Sequence, residues 1–155
     1  MDKIDALNQV AEFHRTFNAP VFDTPQLAPK DRAALRISLL QEELDELKTA
    51  IEQDDLTEVA DALCDLQYVL SGAVLEFGLG EKFVELFDEV HRSNMSKACS
   101  NEQEAQDTLE YYSMRGEEVF TEICGEKINV HRKSDRKVLK NKYYSPADLQ
   151  EILDK

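Results

Sequence analysis

Ile37-Ser38-Leu39-Leu40-Gln41-Glu42-Glu43-Leu44-Asp45-Glu46-Leu47 is followed, past Asp54-Asp55, by Thr57-Glu58-Val59-Ala60-Asp61-Ala62-Leu63-Cys64-Asp65. Ile37, Leu40, Leu44, Leu47 and Ile51 recur at steps of three and four, which predicts a helix over residues 29–53 with one apolar stripe. Asp54-Asp55 breaks it. Thr57 is a candidate cap for a second helix, carried by Val59, Ala60, Leu63, Leu66, Leu70, Ala73 and Phe77 and stopped by the glycines at 78 and 80. The short connection favours antiparallel packing. Residues three apart share a helix face, so Glu43 and Glu46 project together on the first helix and Glu58 and Asp61 on the second, with Asp65 and Tyr68 continuing that stripe. Both acidic stripes run beside apolar seams, so the two pairs can face each other.

Working outward, residues 3–17 hold Ile4, Leu7, Val10, Ala11 and Phe17 at helical spacing, and residues 18–29 form a loop with Pro20, Pro25 and Pro29. A further helix is expected over 81–94, with Phe83, Leu86, Phe87 and Val90 inward. Residues 101–115 are helix-compatible but weakly amphipathic. The tail differs: residues 127–142 hold seven Lys and Arg and one acid, Asp135. Ile128, Val130 and Val138 favour strands there, and Ser134-Asp135-Arg136 suits the turn of a hairpin. Ser145-Pro146 reads as the opening of a short terminal helix containing Leu149 and Ile152. The expected fold is all-α, a single domain over 1–155 with a four-helix-bundle-type core and a small C-terminal β-hairpin at about 127–142.

Five glycines and four prolines in 155 residues suit helices. The net charge is −14, of which the 127–142 segment contributes +6, leaving −20 to the rest. So acidic a chain is not expected to bind DNA or RNA polymers, whose affinity rests on Lys and Arg neutralising phosphates. The polar start, Met1-Asp2-Lys3-Ile4-Asp5, is unlike a secretory signal, and 69–77 is too short to span a bilayer. Cys64, Cys99 and Cys124 are odd in number and widely spaced, matching neither a disulfide framework nor a zinc pattern. A cytoplasmic protein without a membrane partner is expected.

Converging carboxylates repel one another, and either raise each other's pKa or take a cation. A hard, oxygen-seeking ion suits them: Mg²⁺, with Mn²⁺ as the alternative, whose bound waters can bridge to phosphates. Two other readings compete. A carboxylate-bridged di-iron bundle needs Glu-x-x-His twice, and only Asp88-x-x-His91 comes near. A non-catalytic acidic helical module, its carboxylates merely solvated, fits the composition equally well.

At these residues the chain resembles the all-α nucleotide pyrophosphohydrolase superfamily, which includes MazG-like enzymes, dimeric dUTPases and phosphoribosyl-ATP pyrophosphohydrolases. Glu42-Glu43-Leu44-Asp45-Glu46 and Glu58-Val59-Ala60-Asp61 are similar to its Glu-Glu-x-x-Glu and Glu-x-x-Asp motifs. Residues 90–97 resemble the segment that brings polar and basic groups to substrate in the phosphoribosyl-ATP branch, and 135–140 resemble that branch's Asp-Gly-Lys-Val-x-Lys hairpin, with Arg136 where glycine is common. Residues 101–127 are not covered. The resemblance implies a Mg²⁺-dependent nucleoside triphosphate pyrophosphohydrolase, acting on a standard or non-standard NTP or dNTP, with phosphoribosyl-ATP as the alternative substrate. It implies Glu43, Glu46, Glu58 and Asp61 as metal ligands. Glu42 would hold a further metal or orient the attacking water, so Glu42 and Glu43 are the catalytic candidates. Asp65 would lie near the sugar or base, and Asn94, Lys97 and Arg92 near the phosphates. It also implies a homodimer or homotetramer, with helices of two chains around each site.

Overall fold

The computed structural model describes residues 4–155. The chain divides into two compact units, residues 1–83 and 84–155. The first unit holds α1 (Ala6–Thr16), α2 (Lys30–Glu52) and α3 (Leu56–Glu76), then a single 3-10 turn at Gly80–Lys82. The second holds α4 (Phe83–Met95, its first residue in the first unit), α5 (Glu102–Ser113), β1 (Val119–Cys124), β2 (Lys127–Arg132), β3 (Val138–Leu139) and α6 (Leu149–Leu153).

In the first unit α3 is central: α1 and α2 both pack on it. Val10 and Ala11 of α1 meet Leu75 of α3 in a small buried cluster, with Val21 against it. The expected start of the first helix at Lys3 lies outside the described residues. Each of these helices ends in a residue with left-handed backbone, Asn18 (φ 54°), Asp54 (φ 54°) and Gly78 (φ 67°). After α2 and α3 the next two N–H groups fold back onto the last turn: Asp55 N donates to Ala50 O at 3.1 Å and Leu79 N to Val74 O at 3.0 Å. Gly78 alone could not be otherwise, since a Cβ there would sit 1.8 Å from the Thr24 carbonyl oxygen. The loop before α2 is strapped to the end of α3 by Phe22 N to Leu75 O and Gln26 N to Phe77 O, both 3.0 Å.

The cap of α3 is Asp55 rather than Thr57: its carboxylate accepts from Thr57 N at 3.0 Å and Glu58 N at 3.2 Å. A carboxylate two residues earlier reaches the free N–H groups and meets the positive helix end, so it displaces the hydroxyl. Asp148 likewise caps α6, in place of the expected Ser145.

The polypeptide is mostly helical rather than all-α. The tail hairpin forms, with Val130 opposite Leu139 and His131 opposite Val138, but it belongs to a three-stranded antiparallel sheet ordered β1-β2-β3. Arg136 adopts φ 56° at its turn, the conformation glycine would take. β1 comes from the uncovered 101–127 segment, paired with β2 from Val119 opposite Arg132 to Cys124 opposite Lys127 around a two-residue turn. α5 packs on β1 and β2 over Cys99, Ala105 and Val130. α4 belongs to the second unit, so the first contains a core of three helices, not the expected four. Among the described residues, no single helix is long and apolar enough to cross a membrane.

Candidate functional site

Glu42, Glu43 and Glu46 stand on α2, and Glu58, Asp61 and Asp65 on α3. The three-residue connection and its two aspartates hold the helices against each other: Asp54 ends α2 and Asp55 begins α3. The expected group splits in two. Glu42, Glu46 and Glu58 line an open cleft of about 520 Å³ with Asp45, Thr49 and Gln53. Glu43 is half-buried and feels Asp61 and Asp65 of α3 as well as Glu42 and Glu46 of its own helix. Its carboxyl is pushed above the ordinary glutamate range, first by burial and then by the charges of Asp65, Glu46, Glu42 and Asp61. Among the described residues, no three His, Cys, Asp or Glu side chains stand close enough to cage a metal by themselves. The donors are all carboxylate oxygens, the set a hard divalent cation takes.

The repulsion gives a prediction with a definite sign. Ionised Glu43 is disfavoured in the folded chain, so at neutral pH its neighbours' charges subtract from stability. Asp65→Asn removes one of them and is expected to raise the stability of the metal-free protein by roughly 0.5 kcal/mol. Thermal unfolding in EDTA checks this; a lower melting temperature contradicts it.

The other expected residues lie in the second unit. Arg92 is committed to Glu89, through Nε at 2.6 Å and Nη2 at 2.7 Å, and to the Pro146 carbonyl at 3.0 Å. Lys97 donates to Asn94 Oδ1 at 2.7 Å. The basic tail is less exposed electrically than its composition suggests. Arg132 faces Glu117, Lys133 faces Glu118 and Arg136 faces Glu122, so the acids around and within β1 neutralise part of the β2–β3 hairpin.

Sequence reasoning missed the strongest polar feature of the first unit. Glu76, the last residue of α3, is 0% exposed and receives both Arg32 and Arg36 from the first turns of α2. Arg36 also approaches Nε2 of the buried His14 at 3.4 Å, and His14 Nδ1 lies 2.8 Å from the Pro20 carbonyl. A carbonyl only accepts, so Nδ1 carries the proton and Nε2 accepts from Arg36. His14 is therefore a structural link. Gly72 leaves room for it, because a Cβ there would lie 2.7 Å from Arg36 Nη1 and 3.0 Å from His14 Nε2. The sequence signal was a lone Glu76 closing an apolar run.

A second, apolar groove of about 450 Å³ lies along α1 and α3, lined by Val10, Leu63, Cys64, Gln67 and Tyr68 among others. Phe13 meets Tyr68 edge-on at 5.6 Å and Phe17 at 4.4 Å.

Uncharacterized protein L479 of Acanthamoeba polyphaga mimivirus is 24% identical over 248 aligned positions, covering 99% of this chain and 97% of that protein. Residues 10–94, which contain both carboxylate motifs, match the family described as phosphoribosyl-ATP pyrophosphohydrolase. That span is more than half of the chain and supports a pyrophosphohydrolase activity at the level of the family. The chain belongs to the phosphoribosyl-ATP pyrophosphohydrolase family, within the all-α nucleotide pyrophosphohydrolase superfamily that its paired motifs resemble.

Proposed function

We propose that this protein hydrolyses a nucleoside triphosphate, ribo or deoxy, to the monophosphate and pyrophosphate with Mg²⁺, Mn²⁺ being able to replace it. The observation that carries the reading is the crowding of carboxylates from two helices around Glu43, whose protonation burial and four neighbouring charges favour. Such a group is relieved by a cation. Mg²⁺ prefers a few carboxylates plus substrate phosphates and waters to a closed protein cage, which suits donors set this loosely. Glu43, Glu46, Glu58 and Asp61 are its proposed ligands. When bound, the ion supplies positive charge to the phosphates and acidifies water. Glu42, in the open cleft, accepts the proton as water adds across the α–β anhydride, giving monophosphate and pyrophosphate. Asp65 is the proposed partner of the sugar or base, and Asn94, Lys97 and Arg92 are the proposed partners of the phosphates. The apolar groove beside α3, with its aromatic rim, suits the base.

The working form is a homodimer or homotetramer. Ile37, Leu44 and Ile51 on α2, and Leu56, Leu63 and Leu70 on α3, recur every seven residues and are all exposed. A second copy laid on these stripes covers them and supplies the fourth helix of a bundle.

A panel of NTPs, dNTPs and phosphoribosyl-ATP, with Mg²⁺ and with EDTA, tests the reading through the products. Mg²⁺-dependent pyrophosphate from one or more nucleotides is expected. Orthophosphate with a diphosphate would mean that a different bond is cut, and silence without Mg²⁺ binding would favour the non-catalytic module.

A further inference from the structure

The groove between α1 and α3, about 450 Å³, falls within the ~300–1,000 Å³ of small-molecule sites. Among the described residues that line it, none is charged. In a chain with 50 charged side chains, 18 basic and 32 acidic, such a lining suits the neutral part of a ligand, because a charge placed there loses water without gaining a partner. Ile4, Val10 and Leu63 supply apolar wall, and Tyr68 stands at the rim against Phe13. Two amides line the groove as well, Gln9 from α1 and Gln67 from α3. The Gln67 amide has a fixed sense. Ser71, one turn further on, is 1% exposed, and its hydroxyl proton is committed to the Gln67 backbone carbonyl at 2.8 Å. Toward the Gln67 side chain that hydroxyl can only accept, so Nε2 is the atom that faces it, at 3.1 Å. The amide oxygen is thereby turned away from Ser71, and it has no hydrogen-bond partner among the described residues.

An amide free to flip pairs with almost any polar edge. One held by its nitrogen presents an acceptor first, and the edge that answers it is an N–H, the exocyclic amine or ring imide of a base. We infer that Gln67 reads the base of the nucleotide, its Oε1 accepting from an N–H of a purine or pyrimidine seated in the groove. Ser71 acts through Gln67 and is a positioning residue. Tyr68 connects this place with the carboxylates, since it follows Asp61 and Asp65 at helical spacing on α3 and also lines the groove. The inference rests on the nucleotide reading and adds to it the side chain that selects the base.

Nucleoside 5′-monophosphates, which hold no anhydride to cleave, read the groove without any hydrolysis. NMR titration of the full chain in Mg²⁺ compares each with an analogue that lacks one base N–H: adenosine with purine riboside, cytidine with pyrimidin-2-one riboside, uridine with 3-methyluridine and guanosine with 1-methylguanosine, all as monophosphates. In at least one pair the wild type should bind the natural base about tenfold more tightly, the size of one hydrogen bond, and the Gln67 side-chain amide signals should move with it. Gln67→Met, close in volume and on an exposed side chain, should cut that preference to about twofold or less. Ser71→Ala should cut it to about threefold by freeing the amide. Thermal melts confirm that each variant is folded. A wild type blind to every pair, or a preference that survives in Gln67→Met, overturns the inference. So does a groove closed to every ligand in which Gln67→Met changes self-association instead, for then a second copy covers it. A preference lost in Gln67→Met, in a protein that releases no pyrophosphate, upholds Gln67 and overturns the hydrolase reading. Pyrophosphate release with base-blind binding does the reverse.

Discussion

Glu76→Gln is expected to destabilise the protein by about 3–5 kcal/mol, the usual consequence of removing one partner from a buried ion group. Glu76 is fully buried, and two guanidiniums, from Arg32 and Arg36, converge on its carboxylate. An amide satisfies some of the hydrogen bonds but leaves two positive charges facing each other in a poorly hydrated place. Arg36 is worst placed: it is buried, its Nε has no hydrogen-bond partner, and its other side meets His14. At about 2–4 °C per kcal/mol for a chain of this size, the melting temperature should fall by roughly 10 °C. A loss under about 1 kcal/mol would show that the triad carries little stability. The pH dependence follows. Burial pushes the Glu76 carboxyl up, but the two arginines more than reverse this and hold it below the ordinary range. Its contribution is therefore present above the unfolded-state pKa and is lost as pH falls through the lowered one. Glu76→Gln should flatten the acid limb of the stability curve.

The second large effect concerns chemistry. Glu43→Gln is expected to lower kcat/KM for pyrophosphate release by more than the ~10–100-fold that loss of an outer-shell metal partner produces. Glu43 feels the charges of carboxylates on both helices, so its removal should weaken cation binding and the orientation of everything the cation holds. The same change should raise the melting temperature in EDTA, because a crowded charge is gone. Stability up and activity down is the signature that separates a functional carboxylate from a structural one, and calorimetry beside the kinetic assay reads both. The sign with pH is opposite to that of Glu76: a raised carboxyl must lose its proton before it can bind a cation. Mg²⁺ affinity should therefore decline on acidification at a higher pH than for an ordinary glutamate. A variant with wild-type kcat/KM would remove Glu43 from the site.

The two predictions differ in how far the sequence foretold them. Glu43 was legible because Glu42 and Glu46 lie within one helical turn of it, and a three-residue connection folds Asp61 and Asp65 of the next helix back beside it. The helices were legible for the same reason, with their ends misplaced by one or two residues where two capping groups competed, as at Asp55 and Thr57. Glu76 was harder to read: its partners are 40 and 44 residues away, and the one local signal is a lone glutamate at the end of an apolar run. β1 had a signal that was not read. Val119-Phe120-Thr121-Glu122-Ile123-Cys124 is rich in β-branched and aromatic residues, and Gly125 stands at the turn with φ 62°. The tail hairpin was found from such residues alone, and Arg136 shows that an arginine can hold the turn position where glycine is usual.

The connection Gln53-Asp54-Asp55 acts as a phase setter. Its last two residues close one helix and open the next within their own backbone and side-chain bonds, so the angle at which α3 departs is fixed locally. One residue inserted into α3 just after this connection would leave both ends intact and still turn the rest of α3 by about 100°. Asp61 and Asp65 would then swing away from Glu43 while the apolar residues beyond them lost their seats. The number of residues between the two acidic motifs is thus a tighter requirement of this fold than the identity of the residues facing solvent.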